Sequence, residues 1–279
     1  MKKSLLLVLA VPALLLASCG GNGGADVKPY IDSGTSITEQ TKADVQAVPE
    51  TKKQEAETIV NKGFTAKGRT LVDATNVSGN VTSSEKVDLN LDMTFGVTNP
   101  SVSVKFSGNV SANAYGQSAS GTAEGLSEAK LVGEAWQISS DYLTLTLNGQ
   151  QQRRDNYLFS GSSSSAESYY ESTIEQVYSW DFDFDFAQVQ AFAKQYGMAD
   201  LLDNIAISGD PKTGTFEIGL TQEYHANFVG GTLKFNKFRF AYKDFLVQEY
   251  TFRLEASSSA QSYSTSIVME NDYVFTYNQ

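Results

Sequence analysis

Chemistry-bearing residues are sparse in this chain, and their spacing limits what they could do. The 279 residues include one cysteine, Cys19, and one histidine, His225. A lone cysteine excludes an intramolecular disulfide, a CxxC redox pair and a thiolate zinc site. His225 lies in Gln222-Glu223-Tyr224-His225-Ala226, and the chain has no GxSxG elbow to supply a nucleophile, so a hydrolytic triad has no support. The densest acidic cluster is Trp180-Asp181-Phe182-Asp183-Phe184-Asp185-Phe186. Asp at positions one, three and five opens a calcium loop, but Phe186 stands where glycine is required at six and Phe192 where glutamate is required at twelve. In an extended strand the same-face carboxylates would also lie roughly 6.6 Å apart, too far for three to share an ion without a bend. Asp181 and Asp183 therefore read as facing water, and Asp185 as capping a helix with Gln188 as its reciprocal partner. Gly20-Gly21-Asn22-Gly23-Gly24 has no strand before it and no helix after it, unlike a phosphate loop. The expectation is a non-enzymatic protein with no metal and no cofactor.

The chemistry left to Cys19 follows from what precedes it. Lys2 and Lys3 are followed by a twelve-residue apolar run, Leu5 to Leu16, too short for a stable transmembrane span and typical of a secretory signal. Leu16-Ala17-Ser18-Cys19 then resembles the lipobox of bacterial lipoproteins. That resemblance implies a diacylglycerol on the Cys19 sulfur, cleavage before Cys19, and attachment to a bacterial cell or outer membrane facing away from the cytoplasm. Residues 1–18 would be the signal. Without Lys2 and Lys3 the 21 basic residues fall to 19 against 32 acidic, a net charge of about −13. Such a chain gains little from nucleic acid or anionic headgroups, so the membrane partner would be held through the Cys19 lipid.

The remaining elements follow in order. Residues 19–48 are mostly Gly, Ser, Thr, Asp, Lys and Gln, which predicts a flexible tether with a reach of roughly 30 Å. Residues 49–279 read as a single β-rich domain. Pro49 opens a helix over 50–62 with Ala56, Ile59 and Val60 on one face. From Lys67 to Ser160 the period is two: Val87, Leu89, Leu91, Met93, Phe95 and Val97 alternate with polar residues, and so do Val102, Val104, Phe106 and Leu143, Leu145, Leu147. Asn99-Pro100 and Asn148-Gly149 supply turns. Ser164 and Glu167 have capping-box spacing ahead of a helical stripe, Ala166, Tyr170, Ile174 and Val177. A further helix carries Phe186, Val189, Phe192, Ala193 and Tyr196. Strands then return, and the apolar parity of Leu233 to Tyr242 shifts by one at Asn236-Lys237, as a β-bulge requires.

The fold class expected is α+β, mainly antiparallel: a curved sheet or half-barrel of about ten strands with a few short helices packed on it. This element order, with the Phe240-Ala241-Tyr242-Lys243-Asp244 hairpin, resembles the half-barrel lipid and lipoprotein carriers of the LolA and LppX/LprG group. The resemblance implies a concave face that holds acyl chains. Two functions follow. One is a module binding an apolar ligand such as a lipid, lined by Phe235, Phe240, Phe252 and Phe275. The other is a surface lipoprotein with a solid core that meets other macromolecules and takes no small ligand.

Overall fold

The computed structural model describes residues 27–181, 191, 194–195, 198, 200–228 and 230–278, with the side chain of Phe228 outside that set. The signal run, Cys19 and the proposed Asp185 cap with its partner Gln188 lie outside the described residues. In chain order the elements are β1 (Thr35–Ser36), α1 (Glu39–Gln46), α2 (Glu50–Val60), β2 (Phe64–Ser78), β3 (Val81–Gly96), β4 (Ser101–Ala114), β5 (Gln117–Val132), β6 (Ala135–Leu147), β7 (Gln150–Asp155), α3 (Ser163–Gln176), β8 (Ile205–Asp210), β9 (Thr215–Leu220), β10 (Tyr224–Phe228), β11 (Gly231–Lys243), β12 (Leu246–Ala260) and β13 (Tyr263–Tyr277).

Alternation of large apolar and polar side chains makes long strands, and short turns make neighbours antiparallel. All thirteen described strands join one sheet in the order β1-β8-β9-β11-β12-β13-β2-β3-β4-β5-β6-β7, with β10 also paired to β11. The sheet is open, and the seam between the two meanders is β13 against β2, paired in unbroken register from Tyr263↔Ser78 to Tyr277↔Phe64. The expectation of about ten strands is corrected to thirteen: β1, β8 and β10 span only two, six and five residues, too short for alternation to set them apart in the sequence. The parity shift is a real bulge: Phe235 pairs with Leu254 and Lys237 with Arg253, so the extra residue Asn236 lets Phe235 and Phe238 both face the core.

The core occupies one end of these strands. On the inner face Phe64 stacks on Phe95 at 4.8 Å, Phe95 meets Tyr169 of α3 at 6.5 Å, and Trp136 meets Tyr170 of α3 at 4.9 Å. Two glycines make room for rings across the ladder. A Cβ on Gly68 would run into the ring of Tyr273, and one on Gly125 into the ring of Phe106; each ring lies over the glycine it pairs with. Helix α3 begins differently from the capping-box expectation: its N-cap is Ser162, with no side-chain cap bond, and the Ser163 hydroxyl donates to the Trp136 carbonyl at 2.7 Å.

The tether expectation is corrected for residues 31–48. Ile31, Ile37, Val45 and Val48 are buried, the Ile31 and Ile37 amides donate to Leu220 and Ile205 carbonyls, and Thr38 caps α1. A polar composition averaged over the segment hides four apolar side chains, enough to anchor it once a sheet edge and a groove exist to receive them. Because the buried core runs from Ile31 to Phe275, the chain from Gly20 onward keeps every described element of the folding unit.

Candidate functional site

Cross-strand register sorts the inner face into rows, and the rows change character from one end of the sheet to the other. At the core end runs Tyr250-Tyr273-Gly68-Leu91-Phe106-Gly125-Leu143. Next comes Phe252-Asn271-Thr70-Leu89-Gly108-Ala123-Leu145, where the Thr70 hydroxyl donates to the buried Asn271 side chain and lies 3.0 Å from the Tyr273 hydroxyl. The third row is Leu254-Met269-Val72-Val87-Val110-Gly121-Leu147, apolar across seven strands. The helices no longer cover it: Val87 is 36% exposed, and Met269, Val72, Val110 and Leu147 are half-buried. Beyond lies Ala256-Ile267-Ala74-Glu85-Ala112-Ala119, and then a row of Ser, Thr, Asn, Ala and Gln. From Met269 to Leu147 the third row forms a partly exposed apolar strip, a surface that a soluble domain normally buries or uses, while in its neighbour the exposed Glu85 interrupts the apolar side chains.

The four phenylalanines expected to line a ligand site sit deeper. Phe235 meets Phe252 edge-on at 6.3 Å, Phe240 lies 4.6 Å from Tyr250 and 5.8 Å from Phe238, and Phe275 meets Phe64 at 6.4 Å. Phe235, Phe252 and Phe275 are buried, and Phe240 is partly buried against the same cluster. These rings pack on one another as core. The strip was missed because Val72, Val87, Val110 and Met269 read along their own strands as ordinary inward positions; only their cross-strand register, with the helices ending short of it, sets them apart.

The outer face carries paired charge. Lys237 Nζ reaches Glu270 at 2.5 Å and Asp272 at 2.9 Å, and Arg253 reaches Glu270 at 2.6 Å and Glu255 at 2.7 Å. Buried Arg239 holds Glu217 and Glu249, each at 2.6 Å. Further along this face an open groove of about 520 Å³ is floored at Val110 and Gly121 and flanked by Lys86, Asp88, Asn109, Ser111, Ser120 and Thr122. Asp88 is already engaged by Arg69 at 3.0 and 3.1 Å.

The remaining sequence candidates stay apart. His225 is exposed on β10 against the Glu223 carboxylate. Asp181 ends a 3-10 turn at the surface; protein crowding one side raises its carboxyl above the usual range, and Glu175 adds to the rise. Among the described residues no group of three or more His, Cys, Asp or Glu could hold a metal ion, and no described helix is long and apolar enough to cross a membrane.

No family model matches the chain, and no curated protein is similar to it. Among solved structures, the translocator domain of autotransporter NalP from Neisseria meningitidis is similar at 7% identity and a TM-score of 0.12, over 84% of this chain and 96% of that one. At that score the likeness carries no argument.

Proposed function

We propose that the mature chain is a non-enzymatic lipoprotein, anchored outside the cytoplasm through Cys19, that holds an apolar ligand such as an acyl chain along the inner face of its sheet. The observation behind this reading is the apolar row Met269-Val72-Val87-Val110-Gly121-Leu147, which continues past the helices into solvent. Five interstrand spacings of about 4.8 Å give it a length of about 24 Å. One leaflet's hydrocarbon is about 15 Å deep, half of a bilayer core, so the row has room for a whole acyl chain. Each methylene it takes from water contributes about 0.8 kcal/mol. A fluorescent fatty acid tests this on the chain from Gly20 onward. Wild type should bind it saturably, and Val87→Asp or Val110→Asp should abolish binding with little loss of stability, since both side chains already meet water. Absence of saturable binding by wild type, or unchanged binding by both variants, would sink the reading.

The outer-face groove favours a second reading, a surface protein whose polar face meets another macromolecule. In that case the apolar row would bind nothing, and changes at Ser111 and Ser120, not at Val87, would disrupt partner capture.

A further inference from the structure

We infer that the turn end of the sheet docks on the interface of an electrically neutral lipid bilayer. Three observations converge on that end. The first is charge. About one residue in five of the whole chain is charged, yet residues 74–84, 106–123, 142–152 and 256–269 contain no Asp, Glu, Lys or Arg. These four stretches are the β2–β3, β4–β5, β6–β7 and β12–β13 hairpins, and their turns share one end of the sheet. Charge is what a surface must lack to enter an interface without losing ion hydration, and the missing Lys and Arg remove any means of selecting anionic headgroups.

The second is what stands there instead. Tyr115 is 83% exposed, Tyr263 48% and Val81 37%, three of the largest exposures of apolar side chains among the described residues. Tyr263 pairs with Ser78, which pairs with Val81, so these lie in one row, with the Tyr115 turn two strands along. Tyrosine is a side chain suited to the headgroup boundary, with an apolar ring and a hydroxyl that stays wet.

The third is backbone cost. Tyr115 and Gly116 sit at φ 54° and 76°, the geometry that Asn148-Gly149 adopts at 48° and 78° in the next hairpin. Asn-Gly is the favoured pair for such a turn, and a bulky residue at positive φ is strained. Phe245 has a comparable φ of 64°, but its ring is buried against Gly214. Tyr115 has no such compensation in the fold, so its ring serves something outside it.

Docking at this end would set the bilayer beside the rows that lead down to Val87, a path by which an acyl chain could pass between them; that use rests on the reading above, while the docking geometry stands on the turns. The chain from Gly20 onward has no cysteine, so Gln117→Cys at the turn and Val132→Cys at the other end of β5 each take one polarity-sensitive fluorophore. With zwitterionic phosphatidylcholine vesicles the label at 117 should shift to the blue and the label at 132 should not, equally at low and high salt. Tyr115→Asn, which restores the favoured turn residue, should unfold no earlier than wild type and partition to vesicles roughly tenfold more weakly. Failure of the 117 label to shift, equal shifts at both sites, binding confined to anionic vesicles and lost in salt, unchanged partitioning of Tyr115→Asn, or retention on cell-wall glycan in place of vesicles would each overturn the docking. If fatty-acid binding persists while the label fails to shift, docking falls and the apolar row stands. If the label shifts while wild type binds no fatty acid, docking stands and the row falls.

Discussion

Glu270 illustrates how single side chains hold the outer face together. Its carboxylate is buried, and desolvation alone would raise its pKa. The hydrogen bonds and charges of Lys237 and Arg253 outweigh that and hold it below its ordinary value of 4.5. A carboxyl whose pKa is lower folded than unfolded stabilises the fold above the unfolded value and loses that contribution as pH falls through the folded one. Glu270→Gln should therefore cost about 1 to 3 kcal/mol at neutral pH, leaving the half-buried Lys237 and Arg253 with one charged partner fewer each. In urea titrations the gap between wild type and variant should close as pH falls below about 4.5. A gap independent of pH would assign the cost to packing. The ladder was not legible beforehand, because Lys237, Arg253 and Glu270 belong to three strands and meet only through register.

Among elements, β12 separates packing from binding. Phe252, buried and edge-on to Phe235, should behave as core: Phe252→Ala removes transfer energy and leaves a cavity, for about 3 to 5 kcal/mol. Thermal unfolding should register that loss, whereas Val87→Asp, one row nearer the turns, should barely move the midpoint. A Phe252→Ala variant as stable as wild type would mean that its ring faces a space and not neighbours. The strand itself was readable from alternation, and so was the bulge on β11, because a parity break between two inward runs has one structural solution. The depth at which a strand's inward face stops being covered was not readable, since it depends on where α1, α2 and α3 end in space.

For the whole molecule, the proposed anchor at Cys19 would decide where the domain works. If Cys19 takes the lipid, Cys19→Ser should accumulate as a longer, unacylated precursor and lose the diacyl hold on the membrane, each buried methylene contributing about 0.8 kcal/mol. Detergent phase partitioning checks this; a Cys19→Ser chain still processed and still entering the detergent phase would remove the anchor from the proposal. With residues 31–48 packed on the domain, the stretch that composition read as tether is shortened by those residues.

Local chemistry was enough to determine several things from the amino-acid order alone: the antiparallel strands, the α2 helix, the Asn236 bulge, the apolar run before Cys19 and the poverty of catalytic groups. Each depends on neighbours within a few residues, where side-chain period and turn preference dominate. Tertiary structure alone decided that Phe235, Phe240, Phe252 and Phe275 fill a core, that Ile31 to Val48 join it, and that Val72, Val87, Val110 and Met269 align into an uncovered row. Those outcomes depend on register between strands far apart in the chain and on how far the helices reach, quantities that no local pattern of residues encodes.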